Sequence, residues 1–127
     1  MKKIRVMLVD DNVSYRQRMA RLLQTQADLE VIGEAAEGQE ALARARQLLP
    51  DVILMDFRMT GLDGYTAARA IVKELPRAKV FMLTAFPGAL DREKVLRSGL
   101  QGLLVKDQPA GEIIAAIRNS VNLQQRD

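Results

Sequence analysis

Five short apolar runs alternate with stretches whose apolar residues recur at helical spacing, and this alternation constrains the chain more than any other feature of its sequence. The runs are Ile4 to Val9, Leu29 to Ala35, Val52 to Met55, Lys79 to Thr84 and Gly102 to Val105. All but the second are nearly continuously apolar, as expected of strands covered by helices on both faces. The second mixes Glu30 and Glu34 into the run, which suits the edge of a sheet. Between the runs, helical spacing is carried by Met19, Leu22 and Leu23, by Leu42, Ala45, Leu48 and Leu49, by Tyr65, Ala68, Ile71, Val72 and Leu75, and by Ile113, Ile114, Ile117 and Val121. The fourth helix, around Leu90 to Ser98, has a thinner stripe (Leu90, Val95, Leu96) and follows a Pro87-Gly88 breaker. It is therefore expected to be the weakest-packed element and the moving part. Five strand-helix repeats imply an α/β fold, a five-stranded parallel sheet doubly wound as (βα)5, because successive parallel strands need right-handed crossovers. The 127 residues suffice for one domain over 1–127 and leave no room for a second of useful size.

The composition removes several chemistries. With no cysteine there is neither a disulfide framework nor a thiolate. With no histidine, phosphoryl donation from histidine, a Ser-His-Asp triad and imidazole metal ligation are all excluded. The net charge of +3 is spread over helix faces, for instance at Arg16, Arg18, Arg21, Arg44 and Arg46, and reads as a solvated surface. No recognition-helix motif, RNA-binding aromatic pair or metal finger accompanies it, so the chain by itself is expected to bind no DNA. Met1-Lys2-Lys3-Ile4-Arg5 resembles the basic start of a signal peptide, but the apolar run Val6 to Val9 ends at two aspartates and is too short. A cytoplasmic protein without a membrane span is expected.

In a doubly wound sheet ligands gather beyond the carboxyl ends of the strands. The residues there are Asp10 and Asp11 after the first strand, Asp56 after the third, Thr84 at the end of the fourth and Lys106 after the fifth. Clustered carboxylates raise one another's proton affinity and destabilise the fold unless a cation sits among them. Such acids suit hard magnesium, which keeps waters and accepts phosphate oxygens. The set meets the needs of an acyl-phosphate site: Asp56 as nucleophile on phosphorus, Asp10 and Asp11 on the metal, Lys106 and Thr84 on the equatorial oxygens. Each residue alone has an ordinary reading. Asp-Asp-Asn before a helix can simply cap it, Asp56 can be a loop acid, Thr84 a β-branched strand residue and Lys106 a solvated lysine. Their conjunction on four strand ends carries the case.

At these residues the chain resembles the receiver domain of bacterial response regulators, from Lys3 to the last helix. The resemblance rests on Leu8-Val9-Asp10-Asp11-Asn12, Glu37-Gly38-Gln39-Glu40-Ala41-Leu42, Pro50-Asp51-Val52-Ile53-Leu54-Met55-Asp56, Gly61-Leu62-Asp63-Gly64, Leu83-Thr84-Ala85 and Gly102-Leu103-Leu104-Val105-Lys106-Asp107. It is most similar to the NarL/FixJ (LuxR-type) subgroup, whose members join this domain to a helix-turn-helix. The resemblance implies a flavodoxin-like sheet of order 2-1-3-4-5 and phosphorylation of Asp56 by a sensor histidine kinase. It further implies Mg2+, with Mn2+ as a substitute, on Asp11 directly, on Asp10 through water, on Asp56 and on the backbone carbonyl of Arg58. The backbone of Ala85 joins Lys106 and Thr84 in binding the phosphoryl group. The protein so implied is a switch rather than an enzyme, catalysing only its own phosphorylation and dephosphorylation. It controls transcription through an output domain absent from this chain, and that domain alone would contact DNA. Helices one, four and five stay open as surfaces for a homodimer formed on phosphorylation. Gln124-Gln125-Arg126-Asp127 begins a linker to an output domain or ends the chain.

Three departures stand out. Met59-Thr60 replaces the usual methionine-proline, which is expected to loosen the loop after the phosphoacceptor. Leu103 replaces the aromatic that commonly turns inward on activation. Asp107 follows the lysine where a cis proline is frequent, and a cis bond would cost about 2.5 to 4 kcal/mol, so a trans bond is expected. The switch is expected to run through Thr84, drawn toward the phosphoryl group with the loop and fourth helix following. Arg58 and Phe86 flank the site and are expected to impede attacking water. Two rivals are a magnesium-dependent phosphatase or phosphotransferase and a module that signals without phosphorylation. The first lacks an acid two residues after Asp56, where Arg58 stands. The second leaves the acid pair, Asp56, Thr84 and Lys106 without a purpose.

Overall fold

A computed structural model describes residues 2–59, 63–86, 88 and 90–125, the last four by backbone alone. Met1, Thr60, Gly61, Leu62, Pro87, Arg126 and Asp127, named above, lie outside the described residues. The elements are β1 (Ile4–Val9), α1 (Val13–Gln24), β2 (Leu29–Ala35), α2 (Gly38–Leu48), β3 (Val52–Asp56), α3 (Gly64–Glu74), β4 (Lys79–Thr84), α4 (Arg92–Arg97), β5 (Gly102–Val105) and α5 (Ala110–Gln125). All neighbouring strands pair in parallel in the order β2-β1-β3-β4-β5. The sheet order and alternation agree with the fold expected from the sequence.

Strand side chains alternate between the two faces, and the strands feed two cores accordingly. Ile4, Val6 and Leu8 of β1 pack with Met19 and Leu23 of α1 and Ile113, Ile114 and Ile117 of α5. Met7 and Val9 face the other way, with Ala41 and Ala45 of α2, Ala67, Ala68 and Ile71 of α3 and Val95 of α4. Small alanines on α2 and α3 let those helices approach the sheet closely. β2 lies at an edge, as its acids suggested. β5, despite its apolar sequence, forms the other edge; Leu103 and Leu104 are buried while Gly102 and Val105 are partly exposed. Its hydrophobicity marks covered faces rather than a central position.

Helix starts follow local chemistry. Asn12 accepts from the Tyr15 amide at 3.0 Å, Asp63 from that of Thr66 at 2.8 Å and Asp91 from that of Glu93 at 2.9 Å, each satisfying an amide the helix itself leaves free. Two apolar residues depart from the expected stripes. Leu49 leaves α2 in the left-handed conformation at φ 50° and is exposed, its carbonyl and that of Leu48 accepting from the Arg5 guanidinium at 2.8 and 2.7 Å. Leu96 is also exposed, so α4 buries Val95 alone and is shorter than Leu90 to Ser98. Among the described residues no helix is long and apolar enough to cross a membrane.

Candidate functional site

Asp10 follows β1, and its side chain is buried although Asp11 and Asn12 beside it are exposed. Its place is secured from several sides. The Asp10 amide donates to the Ala35 carbonyl at 3.0 Å, and Oδ1 accepts from the Asn12 amide at 2.9 Å. Arg16, one turn into α1, donates from Nη1 to the Asp10 carbonyl at 2.6 Å and from Nε to Glu34 on β2 at 2.8 Å. Arg16 departs from the solvated surface expected of the scattered basic residues. Its side chain is instead only 16% exposed, and it ties the first acid to the sheet edge.

β3 carries Asp56 into the same space, also buried. The chain beyond it is held by the Phe57 amide on the Leu83 carbonyl at 2.9 Å and by the Gly64 amide on the Phe57 carbonyl at 3.2 Å. At Gly64 the start of α3 meets the back of Asp56. A Cβ there would stand 1.8 Å from the Asp56 carbonyl oxygen, so α3 can start against the back of this aspartate only without a side chain.

From the far edge, the Lys106 amide donates to the Thr84 carbonyl at 2.8 Å, and its side chain turns back over the acids. Nζ lies 2.6 Å from Asp10 Oδ2 and 3.4 Å from Asp56 Oδ1. Asp10, Asp11 and Asp56 each offer one carboxylate oxygen, all within 4.8 Å of one another. One ammonium faces three carboxylates. Burial, then the Asp10 charge, push Asp56 up to about 6, and Lys106 only partly offsets them. Asp10 Oδ2 is buried without an aligned hydrogen-bond donor even though Lys106 is at ion-pair distance. The Coulomb attraction is real, but the angle leaves a lone pair unsatisfied. An all-oxygen cluster with surplus negative charge and such an oxygen fits a hard divalent cation.

Thr84 is buried at the end of β4, and its hydroxyl faces its own loop. Oγ1 accepts from the Phe86 amide at 3.0 Å and lies 3.3 Å from the Phe86 carbonyl. The strand ends therefore bring Asp10, Asp11, Asp56 and Lys106 together, while the Thr84 hydroxyl is engaged elsewhere. Ala85 follows it in an exposed loop. Arg58 and Phe86 meet: the guanidinium carbon lies 4.6 Å from the ring centroid, a cation–π stack. Leu103 is buried in the core beneath α4, and its carbonyl accepts from Arg92 at 3.2 Å. Among the described residues no peptide bond is cis, so the Lys106-Asp107 bond is trans as expected. Tyr15, which the sequence did not single out, lies beside the site, its phenol raised to about 12 chiefly by burial and then by Asp10.

Comparison with known proteins places the chain in a family. The family model for the response regulator receiver domain matches residues 6–118. The response regulator protein VraR of Staphylococcus aureus is 41% identical over 117 residues, covering 92% of this chain and 56% of that protein. The chain thus spans about half the length of the curated relatives it matches. Among solved structures, the receiver domain of the putative response regulator NarL from Mycobacterium tuberculosis superposes with a TM-score of 0.88 at 33% identity, over 96% of this chain and 98% of that one. A LuxR-family two-component response regulator from Aurantimonas sp. gives 0.85 at 27% identity, over 95% and 86%. With its sheet order, its acid cluster and these NarL- and LuxR-type relatives, the chain belongs to the receiver domains of two-component response regulators.

Proposed function

We propose that Asp56 is the phosphoacceptor of a phosphorylation-dependent switch served by a sensor histidine kinase. The observation that carries this reading is the meeting of three carboxylates and the Lys106 ammonium beyond the strand ends. A carboxylate oxygen of Asp56 attacks phosphorus, the phosphorus–nitrogen bond of the donor phosphohistidine breaks, and its electron pair remains on the departing imidazole. Lys106 offsets charge on the equatorial oxygens, and the backbone of Ala85 and the hydroxyl of Thr84 bind them. Asp10, Asp11, Asp56 and the Arg58 carbonyl are the ligands we assign to Mg2+, with Mn2+ as a substitute. When bound, the ion supplies positive charge between the acids and the phosphoryl oxygens.

The signal passes when Thr84 Oγ1 leaves Phe86 for the phosphoryl group, carrying the following loop and α4 with it. The shift is limited by the differential affinity of the two arrangements for that group. Output is transcriptional, through a helix-turn-helix outside this chain, in the cytoplasm, with homodimer formation on phosphorylation. Arg58 stands where a hydrolase using the same aspartyl chemistry would carry its acid, which favours a switch over turnover of a foreign substrate.

Incubation with Mg2+ and phosphoramidate, followed by intact mass, tests the reading. One phosphoryl group on the wild type and none on Asp56→Asn is expected. An unmodified wild type, or release of phosphate without a detectable adduct, would overturn it.

A further inference from the structure

We propose that Tyr15 is a positioning residue that holds the Lys106 ammonium over the acid cluster through its ring face; the proposal rests on the phosphoacceptor reading above. Lys106 Nζ lies 4.6 Å from the Tyr15 ring centroid while also reaching Asp10 and Asp56. A lysine side chain has four rotatable bonds and a compact charge, so an ammonium at the end of a strand explores many positions unless something narrows them. The carboxylates alone do not choose among those positions. The ring supplies a negative face on another side, and cation–π attraction strengthens where water is excluded. Lys106 is 16% exposed in its side chain, which places the contact in that regime.

The ring is itself fixed. Tyr15 lies in the first turn of α1, its amide bound to the Asn12 side chain, so the loop that presents Asp10 and Asp11 also sets the ring. Its apolar body packs against the core between the sheet, α1 and α5. The hydroxyl contributes nothing comparable: it is buried and has no hydrogen-bond partner. A buried hydroxyl without a partner is a cost, and phenylalanine would fill this place without it. Retention of a ring, rather than of a phenol, is therefore the requirement. Arg18 approaches the same ring at 5.8 Å, so the aromatic serves two cations, of which Lys106 is the closer.

The alternative is that Tyr15 is an ordinary core aromatic, and the two differ in what Lys106 reports. In the intact chain, autophosphorylation by phosphoramidate at saturating Mg2+ is measured together with the NMR shift of the Lys106 ε-methylene. Wild type and Tyr15→Phe are expected to share both the rate and an upfield ring-current shift. Tyr15→Leu is expected to lose the shift and to slow phosphorylation by about three- to tenfold. Tyr15→Met provides a second ringless variant should the leucine misfold by circular dichroism. Unchanged rates in ringless variants, a fall in Tyr15→Phe as large as in Tyr15→Leu, or a Lys106 shift indifferent to the ring would each overturn the proposal. A wild type that takes up no phosphoryl group defeats the phosphoacceptor reading instead, and the Lys106 resonance still decides whether the ring holds the ammonium.

Discussion

Gly64 stands against the back of Asp56: a Cβ on the glycine would come 1.8 Å from the aspartate's carbonyl oxygen and 2.9 Å from its carbonyl carbon. Asp56 at the end of β3 and the first turn of α3 are thus one packed unit, and the aspartate's backbone cannot move without the helix. Because both atoms in the way belong to backbone, no rotamer change relieves the clash. Gly64→Ala is expected to destabilise the protein by about 1 to 3 kcal/mol, the usual cost of overpacking. It should also slow phosphorylation by shifting Asp56 from Lys106. Urea denaturation and the phosphoramidate reaction check both, and an alanine variant with wild-type values in each would show that the helix start yields freely.

The acid cluster leaves a signature in stability when divalent cations are removed. Burial, then Asp10, raise Asp56 to about 6, above the value near 3.8 of an unperturbed carboxyl. Such a group contributes stability fully below the unfolded value, where it is protonated in both states. That contribution is lost as pH rises through the folded value, because the folded state must then hold the charge. In EDTA, Asp56→Asn is therefore expected to match the wild type near pH 4 and to exceed its stability at pH 7.5 by roughly 1 to 3 kcal/mol. Added Mg2+ should narrow that gap. Parallel stability curves for the two proteins across this range would contradict the assigned strain.

Much of this was legible in the sequence because strand ends in a doubly wound sheet map to one rim. Once Val6 to Val9, Val52 to Met55 and Gly102 to Val105 are strands, Asp10, Asp56 and Lys106 must approach one another. What was not legible depends on nonlocal neighbours. Arg16 looks like surface charge until β2 brings Glu34 beside it, and Gly64 looks like a loop residue until α3 meets Asp56. The phase of α4 was also beyond periodicity: a helix of six residues is too short for its stripe to say whether Val95, Leu96 or both face inward, and only Val95 does. The Thr84 hydroxyl has two attractive destinations, and its choice of Phe86 is a matter of loop geometry.

The Arg58 guanidinium over the Phe86 ring joins the loop after β3 to the loop after β4. If Asp56 carries a phosphoryl group as proposed, this pair, on the two loops that flank it, is expected to impede the attacking water. Cation–π pairs at exposed sites are worth about 0.5 to 1 kcal/mol, so Phe86→Ala is expected to speed dephosphorylation by about two- to fivefold. Decay of the phosphorylated mass after donor removal measures it. An unaltered lifetime would mean that water reaches phosphorus by another path.

Thr84→Ala separates chemistry from switching. Asp56, Lys106 and the acid pair remain, so the variant is expected to accept a phosphoryl group. The hydroxyl proposed to leave Phe86 for that group would be gone, and with it the differential interaction expected to shift α4. Hydrogen exchange in α4 should change on phosphorylation of the wild type and not of the variant. A response of equal size in both would remove Thr84 from the switch.

α4 has a second hold, from α3. The Tyr65 hydroxyl bonds Ser98 Oγ, and that hydroxyl's own hydrogen goes to the Lys94 carbonyl at 2.9 Å, so Tyr65 must be the donor. Arg69 and Lys94 each approach the Tyr65 ring at 5.5 Å, the second of them from α4 itself. Since α4 buries only Val95, one hydrogen bond is a large share of what keeps it docked. Tyr65→Phe keeps the ring and both cations while removing the donor. A net contribution of about 1 kcal/mol predicts roughly fivefold faster local exchange at Val95 to Arg97, with global stability changed no more than that. If exchange in α4 stays at the wild-type rate while the rest of the protein is unaffected, the Tyr65 hydroxyl does not hold the helix, which then depends on its other contacts, Val95 in the core and Arg92 on the Leu103 carbonyl among them.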